Sequence, residues 1–552
     1  MTRHWNIRSA ALAATAFVTA GVLAACGGSS GGKSGGNSSS SGQSGTLTVT
    51  TGSAGTFADN FNLFSPAVED PTNGMIYEPL FFYNTAKSGD VKPWLGTKFA
   101  WSNGGKTLTV QLRHGVKWTD GKPFTSADVV YTYNLAIHNA AANKFGLPLA
   151  SVAANGTYGA TINFTKAAYS SAYYALGRVE MLPKHIWQSD SIKTITTSLN
   201  THPVGTGAYE LSNFSSQAMT FTANPHYYMP GLPKFKTIRF VSFNSNTSSD
   251  AAIENGTIDW AGSFIPSIKK LYLARDPKNV VSDIPLATAF LVPNVAKGPT
   301  ASLAVRQAIS TAIDRNYISN TVYSGYATPS NPEALILPNY KAQLDPSLAS
   351  ASFPTPSASK AKSILTRAGI KTPVNITVDM VSGYTDYLSV LQIIQSELKP
   401  AGINLTIAQP AYASFIADQS TGNFQMLIAS YGYTPDPYSY YYQLLSSAVA
   451  PAIGKPDSVG DYNRYRNAGV DTALSQIAAT NDKSTQNQAF YKIENTFAQQ
   501  LPDIPLFNSQ NEIEFNGHVV SNIPTVSNPY AAPAVYIQPD IGWVAMHLTP
   551  AK

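Results

Sequence analysis

The sequence predicts an α/β protein with at least two lobes, and three observations point to it. The chain has 552 residues, more than one hydrophobic core normally supports. Its second half alternates amphipathic helical patterns with short β-rich runs, the signature of helices packed on a sheet. Hydrophobic residues make up 43% of the chain and charged residues only 12%, a composition for a large core under a weakly charged polar skin.

The N-terminus sets the compartment. Arg3, His4 and Arg8 precede the apolar stretch AALAATAFVTAGVLAA at 10–25. That is the length of a signal-peptide core, and it is too short and too rich in Ala and Thr for a transmembrane helix. The single cysteine, Cys26, follows directly. Leu23-Ala24-Ala25-Cys26 resembles the lipobox of bacterial lipoproteins, which implies that 1–25 is removed and Cys26 is acylated. Two or more acyl chains hold a protein on a bilayer, because each buried methylene adds about 0.8 kcal/mol. Losing Arg3 and Arg8 leaves 35 basic against 32 acidic side chains, a charge of +3. No run of Lys or Arg marks a nucleic-acid surface.

Residues 27–45 contain only Gly and Ser apart from Lys33, Asn37 and Gln43, a leash of about 25 Å as a coil. Gly27, Gly32, Lys33 and Ser34 satisfy a P-loop pattern, but the strand before it and the helix after it are missing.

The folded body opens with an alternating strand at 46–51 that runs into the loop Gly52, Ser53, Ala54, Gly55. A second β segment at 107–118 ends in the turn Asp120-Gly121-Lys122-Pro123. Thr125 or Ser126 then caps a helix with Val129, Val130, Tyr133 and Ile137 on one side. Farther on, Leu303, Ile309, Ala312, Ile313 and Ile318 predict one amphipathic helix ending near Gly325. SASKAKSILTRAG and LSVLQIIQSELKPAG predict two more helices, each followed by a strand, VNITVDM and INLTIAQ.

Several stretches together resemble the family 5 extracellular solute-binding proteins of ABC importers, which include oligopeptide and dipeptide receptors. They are IYEPLFFYN (76–84), LRHGVKWTDGKPFTSADVVYTYN (112–134), MLPKHIW (181–187), PVGTGAYEL (203–211), NPHYYMPGLPK (224–234), AIENGTIDW (252–260), VRQAISTAIDRNYI (305–318) and YGYTPDP (431–437). The resemblance implies a two-lobed periplasmic-binding-protein-like fold with a hinged ligand cleft and an extra inserted domain. It implies a first lobe at 46–91, 200–285 and 512–552, an inserted domain at 92–199 and a second lobe at 286–511. The implied function is capture of a peptide or other small polar solute and delivery to membrane permease subunits. The protein would act as a monomer tethered by Cys26 to the extracytoplasmic face, with no cofactor, no metal and no nucleic-acid partner. An oligosaccharide receptor of the same fold is the alternative.

Enzymatic readings rest on little. Ser357 to Lys360 and Ser267 to Lys270 fit S-x-x-K, without the accompanying S-D-N or K-T-G. The eight histidines form no H-E-x-x-H and no ligand-like pair.

The stretch YGYTPDPYSYYY at 431–442 carries six tyrosines. It follows NFQMLIASY, apolar on both faces like a strand in a covered sheet. Asp436 suits a helix N-cap and Pro437 the first helical position. Tyr438, Tyr441, Tyr442 and Leu445 then share one helix face and predict packing. Tyr431, Gly432 and Tyr433 sit at the carboxyl end of the strand, where open α/β sheets bind ligands. In peptide-binding relatives an aspartate stands three residues before the Asp-Pro pair and holds the peptide ammonium; here that position is Tyr433. The remaining cleft candidates are Gly52, Ser53, Ala54, Asn294, Trp260 and, besides its capping role, Asp436.

Overall fold

The computed structural model describes residues 45–552 apart from 53, 54, 338, 458 and 511. Cys26, the apolar leader, nearly all of the Gly/Ser segment, Ser53 and Ala54 lie outside the described residues. No described helix is long and apolar enough to cross a membrane.

Two large sheets organise the chain. The first has seven strands in the order Asn279–Ser282, Ile513–Asn516, Trp260–Ala261, Thr46–Thr50, Thr237–Val241, Ala218–Ala223 and Tyr209–Ser215. Thr46–Thr50 lies at its centre, parallel to both neighbours, with Thr46 opposite Thr237 and Val49 opposite Trp260. The second has six strands in the order Thr328–Pro329, Ile504–Gln510, Pro285–Pro293, Met426–Gly432, Val374–Asp379 and Ile403–Ala408. VNITVDM and INLTIAQ form its parallel pair, with Val374 opposite Ile403. A separate four-stranded antiparallel sheet, built from Gly96–Ser102, Thr107–Leu112, Gly159–Phe164 and Leu149–Ala154, occupies the middle of the first segment.

The chain passes from the first large sheet to the second between Ser282 and Pro285 and returns between Gln510 and Ile513. Both crossings are short.

Local sequence explains the helices. Ser126–His138 starts with a capping box in which Thr125 and Asp128 satisfy each other's backbone N–H groups. The helix predicted through 303–318 is two helices, Leu303–Ala312 and Arg315–Val322. Ile313 and Asp314 are extended between them, and the Asp314 carboxylate accepts from Tyr317 N at 2.9 Å, so an aspartate that starts a helix interrupts the apolar periodicity.

Pro437–Leu445 also departs from the prediction. Tyr438, Tyr440, Tyr441, Tyr442, Leu444 and Leu445 are all buried, so the helix is enclosed on every side rather than on one face. Its hydroxyls are tied to backbone carbonyls: Tyr440 donates to Ala334 O (2.7 Å), Tyr441 to Glu333 O (2.9 Å) and Tyr442 to Phe145 O (2.9 Å). A tyrosine with its tip satisfied is a large core residue, and these rings join the second sheet to the segment around Phe145.

Candidate functional site

Two connected chambers lie among elements of both large sheets. One, of about 330 Å³, draws half of its described lining from aromatic residues, Phe264, Tyr323, Tyr384, Tyr387, Tyr412, Tyr433, Phe507 and Tyr536, with Asp70, Asp386, Glu512, Thr51, Asn246, Gly262, Ser263 and Ser430. The other, of about 250 Å³, is more polar and includes Glu69, Asn73, Lys144, Arg178, Asp457 and Gln538. Thr51, Asp70 and Tyr412 belong to both.

The loops that build the tyrosine chamber follow parallel strands at their carboxyl ends. Thr51 follows Thr46–Thr50, Gly262 follows Trp260–Ala261, Tyr384 to Tyr387 come after Val374–Asp379, and Tyr433 follows Met426–Gly432. These are the ends at which open α/β sheets receive ligands.

Tyr433 is held in an unusual backbone. Its φ is 53°, left-handed for a bulky side chain, a conformation that costs of order 1–3 kcal/mol and persists where surrounding structure enforces it. Two features enforce it. Tyr433 N donates to Leu286 O at 2.8 Å, and Gly432, at φ 146°, lies so close to the neighbouring strand that a Cβ would meet Leu286 O at 2.3 Å. The half-buried Tyr433 ring meets Tyr536 edge to face at 6.0 Å between centroids.

Around it, Tyr384 and Tyr387 lie 6.2 Å apart, and the Tyr387 hydroxyl is 2.7 Å from Ser430 Oγ. Asp386 stands in the first turn of Thr385–Leu398, where a carboxylate is favoured by the helix dipole, and accepts from Tyr323 OH at 3.3 Å. Burial nevertheless raises its pKa. Asn246 ties the two halves together: its backbone N donates to Gly383 O at 3.3 Å and its Nδ2 to Thr385 Oγ1 at 3.4 Å. Burial pushes Glu512 up to about 8, with Asp386 and Asp283 adding to the effect. Burial likewise pushes Asp70 to about 7, although Gln538 Nε2 donates to it at 2.8 Å.

In the polar chamber, burial raises Glu69 to about 8 against a 2.6 Å bond from Ala58 N. Arg178 donates to Tyr173 OH at 3.2 Å and lies over the Phe145 ring, while its Nε has no hydrogen-bond partner. Lys144 Nζ donates to Leu63 O at 2.6 Å.

Of the described cleft candidates singled out in the sequence, Tyr433 alone lines a chamber. Gly52 is buried with its Cα against the Gly262 carbonyl, where a Cβ would approach to 2.6 Å; its neighbour Thr51 lines both chambers. Tyr431 points away, packed at 5.7 Å from both Phe290 and Tyr462, whereas Ser430 before it faces the tyrosine chamber, as strand alternation requires. Gly432 supplies the close approach just described.

Three candidates line neither chamber. Trp260 is fully buried, stacked on Phe515 at 5.9 Å and donating from Nε1 to Pro533 O at 2.8 Å. Asn294 is fully buried at the opposite end of the sheet: Pro293 pairs with Met426, at the start of the strand that Tyr433 follows, about 20 Å away at 3.3 Å per residue. Its Nδ2 donates to Gly422 O and Phe424 O. Asp436 lines neither chamber; it accepts from Ser439 N at 2.8 Å and Ser439 Oγ at 3.0 Å as a helix cap. Ser357 of the first S-x-x-K pattern is also an N-cap, accepting from Lys360 N.

Sequence reasoning missed Asp70, Tyr323, Tyr384, Asp386, Tyr387, Tyr412, Glu512 and Tyr536. A signal for three of them existed: the rule applied to the end of NFQMLIASY, applied equally to the end of VNITVDM, would have singled out GYTDY at 383–387.

Residues 90–451 match the bacterial extracellular solute-binding proteins, family 5 (middle). The chain belongs to that family. Among curated members, this family 5 protein is similar to the nickel-binding periplasmic protein of Escherichia coli K12, 27% identical over 444 residues covering 76% of this chain and 80% of that one. It is 23% identical to the periplasmic murein peptide-binding protein MppA of the same strain, over 78% of this chain and 81% of that one. Among solved structures, its fold matches the mannohexaose-bound periplasmic oligopeptide-binding protein of Thermotoga maritima. The TM-score is 0.84 at 24% identity, covering 92% of this chain and 99% of that one. This is the two-lobed periplasmic-binding fold, and the chambers of this solute-binding protein lie where its two large sheets approach.

Proposed function

We propose that this protein is the lipid-anchored, extracytoplasmic receptor of an ABC importer, which captures a peptide or another small polar solute between its lobes and presents it to membrane permease subunits. The observation that carries the reading is the chamber wall, in which residues following the first sheet's strands face residues following the second's. A ligand touching both halves binds the closed arrangement more tightly than the open one, and that difference drives closure. The strand membership of the three sheets supports lobes at 46–91, 200–285 and 512–552 and at 286–511, with an inserted domain at 92–199. The crossings that carry Asp283 and Glu512 would be the hinge.

Tethering through acylated Cys26 rests on the lipobox resemblance. A binding role without catalysis, by a single chain, is supported by the family, by the capping duty of Ser357 and by the cleft geometry. An oligosaccharide reading is favoured by the tyrosine-rich wall, since ring faces stack on sugars, and by the mannohexaose-bound relative.

The test is thermal unfolding of the purified protein against panels of peptides and saccharides. A true ligand at 100 times its Kd should add about 2.7 kcal/mol to stability. If no panel member and no extract of the growth medium shifts the transition, the receptor reading is wrong.

A further inference from the structure

The tyrosine chamber is lined by acid groups with no basic group among its described residues. Asp70, Asp386 and Glu512 reach its wall, and none of its described lining residues is a lysine, arginine or histidine. The three carboxylates come from unrelated parts of the chain: a loop of the first lobe, the first turn of Thr385–Leu398, and the return crossing between the sheets. More acid stands behind them. Beyond the effect of burial, Asp250 is raised by Glu254 and Asp386, Glu514 by Glu512 and Asp250, and Glu512 by Asp386 and Asp283. Lys144 and Arg178 line only the other chamber.

Eight of the other thirteen described lining residues are aromatic. An ammonium or guanidinium over an aromatic face gains about 0.5–1 kcal/mol when exposed and about 2 kcal/mol when desolvated, and several rings around one cation are the usual means of holding it. Carboxylates beyond the rings supply the countercharge that a buried cation otherwise lacks.

We propose that the tyrosine chamber is a site for an organic cation, the ammonium or guanidinium end of the captured solute, held over tyrosine ring faces and balanced by Asp386 and Glu512. This rests on the receptor reading above and narrows its ligand to a basic peptide or an organic amine rather than a neutral saccharide. The carboxylates are distributed around an organic-sized chamber instead of converging: among the described residues no three His, Cys, Asp or Glu side chains are grouped to hold one metal ion.

The position of Glu512 couples charge to closure. It sits on one crossing between the sheets and Asp283 on the other, so ionising both in the closed chamber sets like charges against each other. A cation among them replaces repulsion with attraction and makes the closed state depend on the ligand's charge.

Native mass spectrometry of the full chain purified from its own source should reveal a carried solute bearing a positive group. A neutral sugar or an anion carried at one per protein would overturn the cation site while leaving the receptor reading intact. The site itself is probed by calorimetry with choline and its neutral carbon isostere, 3,3-dimethylbutan-1-ol. Choline should bind at least tenfold more tightly, and Asp386→Asn and Glu512→Gln should each reduce that preference at least threefold while both variants keep a cooperative melt. Equal affinity for the two probes, or a preference that neither substitution moves, overturns the proposal.

Discussion

Replacing Tyr433 by glycine separates folding from binding at one position. At φ 53° the tyrosine side chain stands in a left-handed conformation that costs about 1–2 kcal/mol. Glycine removes that cost and loses about 0.5–1 kcal/mol through the greater freedom of the unfolded chain. It also loses the edge-to-face contact with Tyr536, whose centroid is 6.0 Å away, a further 0.5–1.5 kcal/mol or so. These contributions nearly cancel, so Tyr433→Gly should unfold within about 1 kcal/mol of the parent. Tyr433→Ala loses the same contact but keeps the strain, and should be less stable than the glycine variant by about 1 kcal/mol. Affinity follows another order: both variants lack the ring, and a contribution of about 1–2 kcal/mol corresponds to a loss of roughly 5- to 30-fold. Urea unfolding of both variants, with Tyr433→Phe as the ring-retaining control, and titration with the solute recovered from the native protein measure the two effects. An alanine variant as stable as the glycine variant would refute the strain argument. Parental affinity in the glycine variant would refute the role of the ring.

The remaining predictions concern pH, the sheet's far end and the anchor. Glu69 and Glu512 are pushed up to about 8, and Asp70 and Asp250 to about 7, from ordinary values of 4.5 and 3.8. Each holds its proton more tightly folded than unfolded, so their contribution is complete below about pH 4 and is lost as pH rises through 7 to 8; the melting temperature of the ligand-free protein should fall between pH 5 and pH 8, and a flat or rising profile would contradict it. Asn294→Ala leaves the carbonyls of Gly422 and Phe424 and the N–H of Ala296 without their side-chain partner, which should cost about 2–4 kcal/mol and leave ligand affinity within twofold, as read by unfolding and calorimetry. Cys26→Ser should move the protein from the detergent phase to the aqueous phase in a detergent partition of whole cells.

The fold was legible because its signals are local and repeated. A capping threonine before Ser126–His138, the strands VNITVDM and INLTIAQ, and the turn after 107–118 each declare themselves within a few residues. The helix through 303–318 was misread because Ile313 continues an apolar period while Asp314 caps a new helix, and periodicity alone does not weigh one against the other. The chamber was much less legible. Its wall is assembled from about nine segments between Thr51 and Tyr536, and only tertiary packing brings them together. Trp260 and Asn294 show the same limit, because each side chain donates to a backbone carbonyl from a distant part of the chain.

Tyr433 posed the question of what replaces the carboxylate that peptide-binding relatives place at that loop. The chamber holds three carboxyl groups, so the cleft keeps acid groups without one at 433. It takes the negative charge off a strained strand end and leaves it on the first turn of Thr385–Leu398 and on the crossing at 512. A charge at the strand end would act on the ligand within one lobe. A charge on the crossing, felt by Asp283 on the other crossing and by Asp386 beside the second sheet, would on the proposed hinge act on the ligand and on closure together. Tyrosine at 433 adds a ring, and no fourth carboxyl group, to a chamber whose wall carries no basic side chain among its described residues.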